Sequence, residues 1–163
     1  MMWRISHRAD PLARALADRH YSRQNVGHPQ FVKPGAALVL LSTCERALWV
    51  TVLQSFVKHA WPGAWECSLF RNEGAGLSSV LIGAAIAATR AAWGTPPDAG
   101  MVTFVDPGRV RQKRDPGRCF RRAGFRPAGA TASGLIALVL AAQEMPAPVS
   151  AIGHQHCFSV VQQ

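Results

Sequence analysis

Near the middle of the chain lies the segment CSLFRNEGAGLSS, residues 67–79, in which an apolar strand pattern leads through a glycine-containing turn into a long apolar helix. Gly74 and Gly76 can adopt positive φ angles and let the backbone approach a ligand closely. The first N–H groups of a helix lack partners within it, and the helix dipole favours an anion there. The segment therefore predicts a strand–glycine loop–helix unit at residues 65–93, with an anion-binding turn at its centre.

The composition predicts one basic domain. The chain has 163 residues, of which 48% are hydrophobic, and this supports a single α/β (α+β) domain over residues 1–163. The net charge of +9 indicates an acidic partner, with nucleic acid first and an anionic cofactor or a membrane surface second. A basic protein that is merely soluble is the alternative.

Cysteine spacing and hydropathy address metal binding and location. The four cysteines contain no Cys-x-x-Cys pair, so we expect reduced thiols and no structural zinc site. The longest apolar run, Val80 to Ala88, is about half of a membrane span, and the N-terminus lacks a signal-peptide core. We expect a cytoplasmic protein that does not enter a membrane.

The flanking elements follow from capping and periodicity. We predict a strand at Trp3–Ser6, a helix from Pro11 to about His20 capped by Asp10, and a hairpin of strands Ala36–Ser42 and Ala47–Val57. After a strand at Trp65–Phe70, the later elements are a helix at Leu77–Trp93, a strand at Met101–Val105, a short helix at Gly117–Ala123, a strand from Phe125 to about Ala128 and a last strand within Val149–Val161. Ser133–Leu140 fits either a helix or a strand.

A basic segment follows the strand at Met101–Val105. Eight of the eighteen cations lie there, namely Arg109, Arg111, Lys113, Arg114, Arg118, Arg121, Arg122 and Arg126. Such a cluster could contact several DNA phosphates, which would make binding strongly salt-dependent. The alternative is a solvated basic face beside a cofactor phosphate.

Three features together resemble the GNAT (Gcn5-related N-acetyltransferase) fold over roughly residues 10–130. They are the element order, the Arg71-x-x-Gly74-x-Gly76 loop and the segment CFRRAGF at residues 119–125. The resemblance implies a central mixed β-sheet flanked by helices. It also implies acetyl-CoA or a related acyl donor, with the cofactor-binding residues Arg71, Gly74, Ala75, Gly76, Leu77 and Ser78.

Two residues depart from the acetyltransferase pattern. Glu73 would place a negative charge beside the amides that bind pyrophosphate, and like charges at 4 Å repel by about 1 kcal/mol even in water. Phe120 occupies the position where many acetyltransferases carry a proton-donating tyrosine, and phenylalanine has no proton to give. Tyr21 is the only phenol in the chain.

A narrower set of motifs resembles the phage Mom family. The motifs are HYSR at residues 20–23, FRNE at residues 70–73, FVDP at residues 104–107, a Pro-Gly-x-Cys-Phe-x-x-Ala-Gly-Phe run ending at Phe125, and GATASGL at residues 129–135. That family has a GNAT-like fold and converts adenine in phage DNA to N6-carbamoylmethyladenine, which protects the DNA from host restriction nucleases. The resemblance implies the same activity here, on double-stranded DNA in the host cytoplasm.

This reading assigns roles to particular residues. Arg71, Asn72, Glu73 and Asp106 would form the reaction centre, with His20 and Tyr21 facing it. Asp106 or Glu73 would accept a proton from a flipped-out adenine. The expected DNA contacts are Arg23, Arg109, Arg111, Lys113, Arg114, Arg118, Arg121 and Arg122. Iron is a possible cofactor, but the sequence does not identify its ligands.

Each role has a structural alternative. In these alternatives, Asp106 only shapes a turn, Arg71 and Asn72 only cap a strand, and His20-Tyr21 only ends a helix. His154, His156 and Cys157 have the residue types of metal ligands, but Cys157 would point away from the two histidines on a strand. Two other functions also stay open: an acetyl-CoA-dependent N-acetyltransferase acting on a small amine or peptide, and a DNA-binding module without catalysis.

Overall fold

A seven-stranded mixed β-sheet with three α-helices forms the protein, as described by a computed structural model over residues 2–54, 57–109 and 115–153. The elements are β1 (Trp3–Ile5), α1 (Pro11–Asp18), β2 (Ala36–Ser42), β3 (Ala47–Leu53), β4 (Trp65–Asn72), α2 (Ser78–Trp93), β5 (Met101–Val105), α3 (Arg118–Arg122), β6 (Arg126–Ala130), β7 (Ile136–Leu140) and a 3-10 turn (Ala142–Glu144). The mixed α/β fold class predicted from the sequence is confirmed.

The strands lie in the order β1-β2-β3-β4-β5-β7-β6. Neighbours are antiparallel except β4 and β5, which are parallel because α2 carries the chain from the end of one to the start of the other. The central strands are apolar on both faces, as expected for a sheet covered on both sides.

Each face of the sheet has its own core. On one face, α2 and α3 pack onto a cluster that includes Trp49, Ile86 and Phe120. On the other, Leu16 of α1 packs against Val50 and further apolar residues of β2 to β4. The Asp10 side chain accepts a hydrogen bond from the Leu12 N–H at 2.9 Å, which confirms the predicted helix cap.

A β-bulge divides β4 into two parts. Val50 of β3 lies opposite Leu69 and Thr51 lies opposite Cys67, so Ser68 is an extra residue. Towards β5, pairing is confined to Trp65–Cys67 against Met101–Thr103. Beyond these residues the two parallel strands are no longer paired, and the sheet opens at their carboxyl ends.

Several predicted boundaries were wrong by a few residues. Helix α1 ends at Asp18 rather than His20, β3 ends at Leu53, and β4 continues past Phe70 to Asn72. The undecided Ser133–Leu140 segment contains strand β7, since its pairing with β5 and β6 supplies the decision that periodicity lacked.

The predicted last strand is only partly tested. Within the described residues, Ile152 forms a single bridge with Arg4. His154, His156 and Cys157 lie outside the described residues. No helix in the described part of the chain is long and apolar enough to cross a membrane.

Candidate functional site

The opening between β4 and β5 contains a cavity of about 200 Å³, here called the strand cavity. Its walls come from the loop after α1, the second part of β4, the end of β5 and the start of α3. The lining residues are His20, Tyr21, Cys67, Ser68, Leu69, Phe70, Arg71, Asn72, Ser78, Thr103, Phe104, Val105, Gly117, Cys119 and Phe120. The fold therefore brings His20, Tyr21, Arg71 and Asn72 together at one site.

His20 is held as a neutral ring. The Ser22 N–H donates to its Nδ1 at 3.2 Å, and the Ser22 hydroxyl lies 2.7 Å from the same atom. Burial lowers the pKa of His20 to about 4; the positive charge of Arg71 adds to this, and a hydrogen bond to the Phe70 backbone partly opposes it. Both ring nitrogens are thus engaged, so His20 supports the loop over β4 and is poorly suited to carry a proton.

Tyr21 lies beside His20 and is buried with it. The two rings stack with centroids 4.4 Å apart. Burial raises the pKa of Tyr21, so the phenol keeps its proton at neutral pH. Arg109 donates to the Tyr21 carbonyl oxygen at 3.1 Å and ties this loop to the segment after β5. Tyr21 therefore presents a protonated hydroxyl group to the strand cavity.

Glu73 lies at the rim and is clamped by two arginines. Arg19 donates to it through Nε at 2.7 Å and Nη2 at 2.9 Å, and Arg71 donates through Nε at 3.0 Å. The Arg19 hydrogen bond is the main reason why the pKa of Glu73 falls to about 2. A carboxylate with so low a pKa is a weak base, and Glu73 does not line the strand cavity. The role of proton acceptor assigned to Glu73 is therefore disfavoured.

Asn72 stabilises the glycine loop. Its Oδ1 accepts from the N–H groups of Gly74 and Ala75 at 3.1 and 2.9 Å. Its Nδ2 donates to the Gly76 carbonyl oxygen at 2.8 Å and to the Ser78 hydroxyl at 2.9 Å. These bonds occupy two of the amides expected to bind an anion, and they favour a structural role for Asn72.

Asp106 follows β5 but does not line the strand cavity. Its Oδ1 accepts from the Gly108 N–H at 2.9 Å, and its Oδ2 lies 3.7 Å from Arg109 Nε. This geometry fits the turn-shaping alternative. The side chain is still 30% exposed, and a hydrogen bond to its backbone acts on Tyr21. Asp106 is therefore next to the site without facing into it.

A second cavity of about 500 Å³, here called the helix cavity, adjoins the first. Its lining is Gly76, Leu77, Ser78, Ser79, Asp115, Gly117, Arg118, Cys119 and Arg122, and it shares Ser78, Gly117 and Cys119 with the strand cavity. Gly74 and Gly76 have φ angles of +92° and +145°, which confirms the predicted backbone of the turn. Helix α2 has no side-chain cap, so its first N–H groups are available to an anion.

Glu73 does not face this second cavity. Its side chain points towards Arg19 and Arg71, and it is absent from the lining of the helix cavity. The expected repulsion of a bound pyrophosphate is therefore wrong as an objection to an acyl-CoA donor. Of the six predicted cofactor-binding residues, Gly76, Leu77 and Ser78 line the helix cavity, whereas Arg71, Gly74 and Ala75 do not.

The predicted DNA-binding cations fall into different environments. The side chain of Arg23 is only 9% exposed and bonds to Asp18, to the Gln30 carbonyl oxygen and to the His28 carbonyl oxygen, so it holds its own loop together. Arg121 pairs with Asp115. Arg118 and Arg122 are exposed at the helix cavity, and Arg109 is exposed beside Asp106. Arg111, Lys113 and Arg114 lie outside the described residues.

Sequence reasoning missed several cavity residues. Ser68, Thr103 and Cys119 line the strand cavity, and the Thr103 hydroxyl donates to the Cys67 carbonyl oxygen at 3.1 Å. Only the bulge and the divergence of the strands expose these positions, and neither has a signal in the local sequence. Phe120, buried against Phe70 and Phe125, confirms that no phenol is present at that wall.

Comparisons of the chain with protein-family models, with curated proteins and with solved structures found no match.

Proposed function

We propose that this protein is a DNA-modifying transferase that converts adenine to N6-carbamoylmethyladenine, as the resemblance to the Mom family implies. The observation that carries the proposal is the strand cavity itself. A half-buried phenol, Tyr21, and a guanidinium, Arg71, both line this cavity at the point where β4 and β5 separate. The exposed cations Arg118 and Arg122 lie at the adjoining opening and provide phosphate contacts.

The reaction requires an adenine to leave the duplex, because N6 is not reachable for this chemistry inside the base stack. The stacked rings of His20 and Tyr21 offer a surface for a planar base. Of the two carboxylates considered as proton acceptors, Asp106 is the better candidate, since Glu73 is neutralised by Arg19 and Arg71. In the transfer, N6 would bond to the methylene carbon of a carbamoylmethyl donor while the bond from that carbon to its leaving group breaks. The N6 proton would pass to Asp106, and Tyr21 would give a proton to the leaving group.

An acyl-CoA donor fits the helix cavity. The free N–H groups at the start of α2, together with Arg118 and Arg122, would hold its pyrophosphate. Acyl transfer from such a donor to an amine would form an amide and release the CoA thiol, which is the chemistry of the acetyltransferase candidate below and does not supply a carbamoylmethyl group. Iron is a different case, because the described residues contain no group of three or more His, Cys, Asp or Glu side chains able to hold a metal. We therefore derive no step through iron.

Nucleoside mass measurement tests the proposal directly. DNA from cells that express the protein, digested to nucleosides, is expected to contain a heavier deoxyadenosine. Tyr21→Phe and Asp106→Asn are expected to lower its yield by about tenfold or more, because each removes a proton-transfer group. The matched control is Arg126→Gln, an exposed change outside both cavities. Unmodified adenine in cells that contain soluble protein would exclude the proposed activity.

A second candidate is an acetyl-CoA-dependent N-acetyltransferase acting on a small amine or peptide. The orientation of Glu73 away from the helix cavity favours it, because Glu73 then adds no negative charge there. The carboxylate that does line this cavity, Asp115, is paired with Arg121. Acetyl-CoA binding that weakens in Arg118→Gln and Arg122→Gln, together with unmodified DNA, would support this candidate instead.

Salt dependence tests whether the protein contacts DNA phosphates, and nucleoside analysis then separates the DNA-modifying enzyme from a DNA-binding module without catalysis. If Arg118 and Arg122 each contact a phosphate, replacing either one by glutamine is expected to reduce the slope of log K against log salt by about 0.9. Arg126→Gln is expected to leave the slope unchanged. A non-catalytic module would show the same slopes, but its DNA would contain only ordinary adenine with or without Asp106→Asn.

A further inference from the structure

Among the described residues, Arg71 is the one charged side chain that lines the strand cavity, since the His20 ring beside it is neutral. No aspartate or glutamate belongs to that lining. The cavity is therefore electropositive, and a cation would find no counter-charge in it. Burial is the main cause of the lowered pKa of His20, and the positive charge of Arg71 adds to it.

A hydrogen bond to Glu73 fixes the orientation of the Arg71 side chain. Its Nε donates to Glu73 Oε1 at 3.0 Å, and Arg19 holds both oxygens of the same carboxylate. Two cations and one anion leave this cluster with a charge of +1. Within the described residues, the Nη1 and Nη2 atoms of Arg71 make no hydrogen bond, so the fork of the guanidinium remains available.

The geometry points to a small organic carboxylate as a ligand of the strand cavity, bound in bidentate fashion by Nη1 and Nη2 of Arg71. This inference rests on the proposed function, since it names the class of small molecule that the same site takes beside the base. The planar fork of arginine matches the two oxygens of a carboxylate. The Tyr21 and Ser68 hydroxyls line the same cavity and offer further donors.

Size and polarity favour a carboxylate over a phosphate. The strand cavity is about 200 Å³ and is walled by the rings of Phe70, Phe104 and Phe120, which suit a short apolar stem. The helix cavity is about 500 Å³ and has two lining arginines and a helix N-terminus, which suit a phosphate group better. The strand cavity therefore suits a small carboxylate, and the adjoining helix cavity suits a phosphate group.

Calorimetric titration of the full chain without DNA tests this inference. Acetate and glycolate are the probes, and acetamide and glycolamide are their neutral counterparts with nearly the same shape. We expect the carboxylates to bind about tenfold or more tightly than the amides, because charge-assisted bonds to Arg71 are lost with the amides. Inorganic phosphate is expected to bind more weakly than acetate at the site that depends on Arg71.

Three variants locate the binding. Arg71→Gln is expected to weaken acetate binding by about tenfold or more, and Arg71→Lys to weaken it less, because lysine keeps the charge and loses the fork. Arg126→Gln removes an equal charge at the other end of the sheet, beside Val139, and is expected to bind acetate normally. Circular dichroism checks that each variant is folded, and Arg71→Lys keeps the test valid if Arg71→Gln is not.

Specific results would overturn the inference. They are equal affinity for acetate and acetamide, unchanged acetate binding in Arg71→Gln, or tighter Arg71-dependent binding of phosphate than of acetate. The outcome is separable from that of the proposed function. Arg71-dependent carboxylate binding together with unmodified DNA would support the carboxylate ligand and exclude the DNA activity. Modified DNA without carboxylate binding would support the DNA activity and exclude the carboxylate ligand.

Discussion

The two parts of strand β4 differ sharply, although only the bulge at Ser68 separates them. Glu66 and Cys67 pair with strands on both sides, Trp65 pairs with β5, and all three are buried. The residues from Leu69 to Asn72 pair only with β3, and the edge that they leave free borders the strand cavity. One strand thus supplies both the interior of the sheet and the wall of the site, because its neighbour β5 follows it for only three residues.

The two glutamates of this region show the same contrast. Glu66 in the first part is 4% exposed and accepts a bond from Lys33 at 2.5 Å. Its Oε2 is buried without a hydrogen-bond partner among the described residues. Glu73, just past the second part, is 26% exposed and has both oxygens bonded. The first part of β4 thus contains a buried carboxylate with one unpaired oxygen, whereas the charged side chains at the second part lie beside the strand cavity.

The largest effect on the free energy of unfolding is expected just before β5, whose first three residues pair with β4. Gly100 has a φ of +72°, and an added Cβ would lie 2.1 Å from the Leu140 carbonyl oxygen. Gly100→Ala is therefore expected to lower the free energy of unfolding by about 3–5 kcal/mol, from backbone strain and from overpacking. Denaturation by urea, followed by circular dichroism, measures it.

Gly94→Ala is the matched control, because Gly94 has a similar φ of +82° but open space around its Cβ position. Only the strain term, about 1–2 kcal/mol, is expected there. Equal losses in the two variants would mean that the close approach of β5 and β7 does not constrain the closed part of the sheet.

The free energy of unfolding is expected to depend on pH through His20, which lines the strand cavity. The folded protein protonates this ring only at a pKa of about 4, whereas an unfolded chain does so at about 6.5. Between these values the unfolded state binds more protons, so stability falls as the pH decreases from about 6.5 to 4. Allowing for partial exposure, we expect a loss of about 1–2 kcal/mol.

Urea denaturation at several pH values tests this expectation with two variants. His20→Gln is expected to flatten the stability profile between pH 6.5 and 4. His7→Gln makes the same replacement at an exposed histidine and serves as the comparison variant. If His20→Gln kept the full slope, the ring would be protonated freely, and its fixed neutral state would be wrong.

The sequence alone was enough to predict the backbone where local steric preferences determine its conformation. Glycines at 74 and 76 predicted the turn with positive φ, and the Asp10-Pro11 pair predicted the start of α1. The interior of the site depends on contacts between distant residues. Arg19 and Glu73 are 54 positions apart, and no local pattern shows that they meet. The early separation of β4 from β5 also depends on distant residues, and the local sequence does not predict it.

The smallest effect on stability, and the most informative for the site, is expected from Glu73→Gln. The clamp is partly exposed, so its loss is expected to cost about 1 kcal/mol or less in the free energy of unfolding. The sign with pH follows from the lowered pKa of about 2: the contribution is complete above the unfolded value of about 4.5 and disappears as the pH falls to about 2.

Glu73→Gln nevertheless weakens the bond that orients Arg71, so acetate affinity and the yield of modified adenine are expected to fall by several-fold while the fold is kept. Glu144→Gln removes a carboxylate that pairs with one exposed arginine, and it serves as the control with a similar small cost and no effect on binding. If both variants bound acetate like the parent protein, Glu73 would be an ordinary surface ion pair. The open part of the sheet would then present Arg71 to its ligand without a clamp.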